Sequence, residues 1–262
     1  SVVQTKPGYM FVKGKKIKDF RDYGELSITR IITKSSNVGV TKLALSLDQD
    51  AMHNMFFNVG IGRLPSTGFP GERSGQLPYY SHRQVIERAV MAYGYGLSVT
   101  PIQLAHAYSV LANSGVKVPI RLLKIKQAPA GRRIIPKDIA NDVVTMMETT
   151  TQADKGGTGR KAAVFGYRVA GKTGTARKAS RGGYDLDKYI SVFAGITPAS
   201  DPKIAIVVMV NNPKGQQYSG GGVAAPIFSR VATGALRMLN ISPDQWPSRQ
   251  PDHESLAAKG AQ

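Results

Sequence analysis

Gly166-Tyr-Arg-Val-Ala-Gly-Lys-Thr-Gly-Thr-Ala176 decides how the rest of the chain is read. Glycine opens it, and small, branched and aromatic residues follow with no proline, which predicts a strand over residues 167–176. Two more strands are predicted after it, over 189–197 and 203–211. The second contains the apolar run Ile204-Ala-Ile-Val-Val-Met-Val210, which suits a buried strand and is far too short to span a bilayer. A long basic loop is expected between the first two strands, and the turn Pro198-Ala-Ser-Asp-Pro202 between the last two. A helix from about Val223 to Leu239 follows the glycines at 220–222, with Ile227, Val231, Leu236 and Leu239 along its length. Inside the first strand, Lys172, Thr173 and Gly174 set a cation, a hydroxyl and a residue without a side chain at consecutive positions.

Working outward, the preceding two-thirds reads as mainly helical. Residues 25–33 carry their large apolar side chains on one helical face and end at Lys34-Ser-Ser-Asn37. A second helix is predicted over 38–47, with Val40, Leu43, Ala44 and Leu47 as its buried stripe. Asp50 is placed to cap a third that closes at Gly60. The Gly-, Pro- and Ser-rich stretch from Gly60 to Ser81 predicts a long structured loop. Thr100-Pro101 forms an N-cap followed by proline in the first turn, with Gly115 as the stop, and Pro136 opens a further helix. Residues 116–135 are compatible with short strands or coil. Helices, then an antiparallel meander, then a closing helix give an α+β fold with helices packed on an antiparallel sheet.

Composition narrows the chemistry. The 262 residues are 42% hydrophobic, enough for one sizeable core or two small domains. No cysteine is present, which removes thiol catalysis, thiolate metal sites and disulfides. The four histidines, His53, His82, His106 and His253, have no metal-ligand spacing, so no metal is expected. The formal net charge is +18, with the excess clumped at 13–18, 117–137 and 160–181. Such clumps suit an anionic surface or polymer, or simply a solvated basic face. No helix-turn-helix, RNA-recognition aromatic motif or zinc finger accompanies them, so nucleic acid is not an expected partner.

Ser35-x-Asn37 lies on the turn between the first two helices. Alone it is a weak word, because most such serines are helix caps, and Ser35 or Ser36 could cap the helix beginning near Val38. Three longer words stand beside it: Lys34-Ser-Ser-Asn-Val-Gly-Val-Thr-Lys-Leu-Ala44, Gly71-Glu-Arg-Ser-Gly75 and Tyr93-Gly-Tyr-Gly-Leu-Ser-Val-Thr-Pro101. With Gly195-Ile-Thr-Pro-Ala-Ser-Asp-Pro202 and the Lys-Thr-Gly strand, the chain resembles the transpeptidase domain of class B penicillin-binding proteins from about Gly8 to Asp244.

The resemblance implies the penicillin-binding protein/β-lactamase-like fold and a serine D,D-transpeptidase that cross-links peptidoglycan stem peptides at the septum. Its partners would be the D-Ala-D-Ala end of a stem peptide, β-lactam antibiotics and other division proteins, with no cofactor. It would work on the periplasmic face of the inner membrane, anchored by an N-terminal segment. One element departs from the pattern: the S-x-x-K of the family should precede Ser35, and nothing there fits. Ser114-Gly-Val-Lys117 and Ser200-Asp-Pro-Lys203 share the spelling, but the first falls at a helix end and the second straddles a proline turn. The expectation is therefore that residues 1–240 are the C-terminal part of the domain, with the nucleophile helix, part of the sheet and the upstream half of the domain outside this chain. Residues 241–262 would be a flexible polar tail.

Residue by residue, the resemblance gives Lys172 the substrate carboxylate, Thr173 a hydrogen bond to that carboxylate, and Gly174 the space for an extended peptide or β-lactam. Thr175 would offer a backbone N–H to the oxyanion, Ser35 a proton relay, and Asn37 an anchor for the substrate amide. Tyr95 and Tyr218 stand beside glycines where each would either line the cleft or serve packing. Glu72 is expected to form a structural ion pair. Rival readings are a D,D-carboxypeptidase or β-lactamase-like hydrolase, and a non-catalytic basic binding module of the same fold.

Overall fold

The computed structural model describes residues 1–180 and 183–245. Strand β1 (Val2–Gln4) pairs antiparallel with β4 (Glu25–Ser27), and between them β2 (Tyr9–Val12) and β3 (Lys15–Lys18) form a hairpin. Alternation turns Met10, Val12 and Ile17 of that hairpin inward, against Leu45 and helix α4 (Val85–Met91). None of these four strands, nor α4, was expected from the sequence. Helix α1 (Ile28–Lys34) begins three residues later than predicted because Glu25–Ser27 is spent on β4, and Ser27 becomes its N-cap. Helices α2 (Asn37–Ser46) and α3 (Ala51–Val59) fall where predicted. Asp50, however, makes no capping bond; its carboxylate accepts from the Tyr79 hydroxyl at 2.9 Å.

Helix α5 (Pro101–Ala112) opens on a full capping box between Thr100 and Gln103. The basic stretch after it contributes only the two-residue strands β5 (Val116–Lys117) and β6 (Arg132–Arg133), and α6 (Lys137–Glu148) follows. The main sheet runs β7 (Ala170–Ser180), β8 (Gly183–Thr197), β9 (Ile204–Asn211), all antiparallel and in that order. The loop expected over 177–188 is mostly strand instead: β7 runs to Ser180 and β8 begins at Gly183, and their pairing resumes past a register shift between Arg177 and Ala179. Lysines and arginines on a solvated ribbon look like loop in sequence, although pairing needs only the backbone.

Register assigns the two faces of the sheet. Ala170 and Ile196 turn toward α5 and α6 and form one core with Val144 and Met147. Phe193 turns the other way, against α7 (Ala224–Met238), where its ring meets Phe228 edge-on at 4.7 Å. This helix–sheet–helix sandwich is the expected α+β class. Among the described residues, β7 and β9 are the sheet edges.

The tail was expected to begin at 241, but its first residues are docked. The Ile241 carbonyl accepts from the Tyr167 hydroxyl at 2.6 Å, and the Asp244 carboxylate accepts from the Arg168 N–H at 2.7 Å and from Ser200 Oγ at 2.5 Å. The remainder of that expectation, 246–262, lies outside the described residues. No described helix is long and apolar enough to cross a membrane.

Candidate active site

The site is built where the turn between α1 and α2 meets edge strand β7. Ser35 ends α1 in the left-handed conformation (φ 57°, ψ 48°), while Ser36 starts α2 as its N-cap. The two serines therefore divide the roles that sequence left open. Ser36 Oγ accepts from the Gly39 N–H at 2.9 Å and donates to buried Asp19 at 2.6 Å, and the other oxygen of that carboxylate accepts from the Val38 N–H at 3.0 Å. With the cap supplied by Ser36, Ser35 is free to point across the groove. Its hydroxyl stands 2.8 Å from the Lys172 ammonium, 137 residues away in sequence.

Lys172 also donates to the Thr173 carbonyl at 3.0 Å. Each bond has a neutral oxygen as acceptor, so nothing among the described residues balances its charge. Desolvation by the surrounding protein pushes its pKa down to about 8. At pH 7 the group is about nine-tenths cationic. It can grip a carboxylate, and it lies close enough to neutrality to exchange a proton with the Ser35 hydroxyl.

The strand bearing Lys172 is stapled to the end of α6 by threonines. Thr150 Oγ1 donates to the Gly171 carbonyl at 2.6 Å, and Thr151 Oγ1 to that of Val169 at 2.7 Å. Thr173 donates to Thr158 Oγ1 at 3.0 Å, and Thr175 Oγ1 accepts from the Gly220 N–H at 2.9 Å. Gly220 is needed for close approach, because a Cβ there would overlap the carbonyl oxygens of Gly174 and Val192. Gly174 is the opposite case. A Cβ added to it would meet only the Val192 Cβ at 3.5 Å, an ordinary contact. Internal packing therefore does not demand a glycine there; the space it leaves belongs to the open groove.

Two depressions flank β7. One, of about 640 Å³, runs along the face carrying Gly174 and is walled by Tyr95, Tyr184, Val192, Val207 and Met209. The other, of about 400 Å³, is lined by Thr158, Arg160, Thr173, Thr175 and Ser219. Tyr95 lines the first: its hydroxyl accepts from the Arg177 N–H at 3.4 Å, and its ring meets Tyr184 edge-on at 5.2 Å. Tyr218 lies face to face with Tyr189 at 4.2 Å, and its carbonyl accepts from Ser191.

The structure thus brings Ser35, Lys172 and Thr173 into one hydrogen-bonded group, with Gly174 and Thr175 continuing the strand. Asn37 opens α2 two residues beyond Ser35, and its amide donates to the Lys18 carbonyl at 3.1 Å. Glu72 differs from expectation. Its carboxylate accepts from the N–H groups of Ser66 and Thr67 at 3.0 and 2.7 Å, and from the Thr67 hydroxyl, tying a loop rather than pairing with a described cation. The Thr67 hydroxyl bond, ahead of these backbone bonds, lowers its pKa. Sequence reasoning missed Thr158 and Gly220. Glycine clustering at 156–159 and 220–222 is the only local signal for either. The two stray S-x-x-K spellings lie elsewhere: Ser114 bonds Asn141, Ser200 bonds Asp244, and Lys203 pairs with Asp201.

The chain is similar to known proteins over most of its length. The peptidoglycan D,D-transpeptidase FtsI of Escherichia coli (strain K12) is 43% identical over 244 residues, covering 93% of this chain and 41% of that protein. The FtsI of Buchnera aphidicola (subsp. Schizaphis graminum) is 42% identical over 249 residues, 95% of this chain and 43% of that one. The chain thus spans about two-fifths of the length of these relatives. The apo transpeptidase domain of Burkholderia pseudomallei penicillin-binding protein 3 superposes with a TM-score of 0.88 at 39% identity, covering 94% of this chain and 74% of that one. The penicillin binding protein transpeptidase domain matches residues 2–233, and the chain belongs to that family.

Proposed function

We propose that this chain forms the carboxylate-binding and proton-relay walls of a peptidoglycan D,D-transpeptidase that acts through an acyl-serine. The observation that carries the reading is the 2.8 Å contact between Ser35 and Lys172, whose cation has no carboxylate partner among the described residues. A stem peptide ending in D-Ala-D-Ala supplies such a carboxylate, and so does a β-lactam. Lys172 binds it as a cation and Thr173 as a hydrogen-bond donor, each charge-assisted bond contributing about 1.5–3 kcal/mol.

The acyl donor lies along β7 in front of Gly174, adding a strand to the sheet edge. The nucleophilic serine attacks the penultimate carbonyl, the terminal D-Ala leaves with a proton, and an amine of a second peptide takes the acyl group. The Thr175 N–H stabilises the oxyanion at each tetrahedral stage; one such donor typically contributes about 2.7–4 kcal/mol. Ser35 passes the proton between nucleophile and leaving amine, and Asn37 anchors the substrate amide. A β-lactam acylates the same serine.

The nucleophile is assigned to a segment outside these 262 residues. The stray S-x-x-K pairs support this, since Ser114 and Ser200 are engaged elsewhere. Chemistry on wall peptides places the site on the periplasmic face of the inner membrane, in septal synthesis. The test is labelling with a fluorescent penicillin. The chain alone should take no label, and the same chain produced with the preceding natural segment should take one label per molecule. Stoichiometric labelling of a serine within residues 1–262 would overturn the assignment.

A further inference from the structure

A second concave site lies away from β7, between the end of α3, the middle of α5 and the β5–β6 ribbon. It is a cleft of about 490 Å³ whose chemistry is set by Arg63, His106, Lys117 and Arg132, with Ser66 and Pro119 completing the rim. A lysine or arginine on open, solvated surface needs no partner for its charge. Two of the cations here are held differently, while Arg132 stands exposed on β6. The Arg63 guanidinium lies 4.9 Å from the Phe57 ring centre. Lys117 is half-buried, and its ammonium is tied to the Asn58 carbonyl at 3.0 Å. A Cβ on Gly60 would come within 3.2 Å of that same ammonium. None of the three has a carboxylate within ion-pair distance among the described residues.

The fold therefore concentrates positive charge in a hollow and leaves it uncompensated. Burial, then Arg63 and Arg132, lower the pKa of Lys117, so the cations repel one another there. Burial and Lys117 also lower that of His106, keeping its imidazole neutral near pH 7, with the ring fixed by a 2.8 Å bond to the Val118 carbonyl. A multiply charged oxyanion relieves this repulsion at one stroke. Guanidinium forks and an ammonium match tetrahedral phosphate oxygens, and the hollow has room for more than one such group.

We propose that this cleft binds a phosphate or diphosphate group, either free or esterified to a lipid. The site shares no residue with the Ser35–Lys172 groove and stands whether or not the transpeptidase reading does.

Titration calorimetry of the chain with inorganic pyrophosphate tests it, at fixed ionic strength. Saturable binding is expected, weakened about tenfold or more in Arg63→Gln/Arg132→Gln. Arg133→Gln removes the same charge from the same ribbon, but its guanidinium is turned to the carbonyls of Ser114 and Ile135; it should bind as the parent does. No saturable binding, or equal weakening in the Arg133 variant, would overturn the site. Phosphatidylcholine vesicles with and without phosphatidic acid separate the sources. Cosedimentation lost only in the double variant assigns a lipid-borne phosphate; pyrophosphate binding without cosedimentation assigns a soluble one.

Discussion

Lys172→Met tests whether the Lys172 cation is kept at a cost to the fold. The substitution keeps an unbranched side chain, one atom shorter, and removes its charge. A pKa of about 8, against the ordinary 10.5, corresponds to about 3 kcal/mol of differential penalty on the charged form. Truncation also forfeits the bonds to Ser35 Oγ and the Thr173 carbonyl, each with a net value of about 1 kcal/mol, though exposed Ser35 recovers water. The balance leaves the variant as stable as the parent, or more stable by about 1–2 kcal/mol, at pH 7. The sign with pH is fixed. Below pH 8 the lysine is charged in both folded and unfolded chains and the full penalty stands. Between 8 and 10.5 the folded chain binds fewer protons, so the parent gains stability with rising pH and the difference closes. Urea unfolding at pH 7 and pH 10 reads this directly. Loss of more than about 1 kcal/mol in Lys172→Met at pH 7, or a difference independent of pH, would refute the reasoning.

Other outcomes follow from the same geometry. Gly174→Ala should leave the unfolding free energy within about 0.5 kcal/mol of the parent, since its methyl meets only Val192, yet slow acylation of the complete enzyme by a β-lactam at least tenfold; a normal acylation rate would show that no ligand occupies that space. Gly220→Ala should destabilise by about 1–3 kcal/mol through overlap with the Gly174 and Val192 carbonyls, and a neutral midpoint would contradict the close approach. Arg168→Met strips Glu148 of two bonds, at 2.8 and 2.7 Å, and leaves that carboxylate buried and unpaired. Because the Arg168 side chain is 41% exposed, the loss should be about 2 kcal/mol rather than the 3–5 of a fully buried pair, and a loss below about 0.5 would rule out a stabilising role. Affinity for a carboxylate ligand should fall about tenfold per pH unit above pH 8, as Lys172 loses its proton; constant affinity to pH 10 would exclude Lys172 as the carboxylate grip.

Features that depend on neighbours within one helical turn or one strand were legible in the sequence. The Thr100 N-cap of α5, the Gly60 terminus of α3 and the centres of all three main strands are of this kind. The strand ends over 177–180 and 183–188 were not, because solvated basic residues carry no apolar alternation even where the backbone pairs, as at Ala179 and Tyr184. The four short N-terminal strands are stabilised by pairing partners, and β2 and β3 also by the core around Ala89, neither of which has a local pattern. At the site, sequence could not separate Ser35 from Ser36 as the helix cap. Asp19, 17 residues upstream of Ser36, makes that choice by accepting the Ser36 hydroxyl. Thr158 and Gly220 were invisible for the same reason: their contacts with Thr173 and Thr175 close loops of 15 and 45 residues.

The most direct measurement is the acylation rate of the complete enzyme by a fluorescent penicillin, compared between the parent and Lys172→Ala. The account predicts a loss of at least about 100-fold, the scale expected when a charge aimed at the reacting group is removed. An unchanged rate in a folded variant would contradict it.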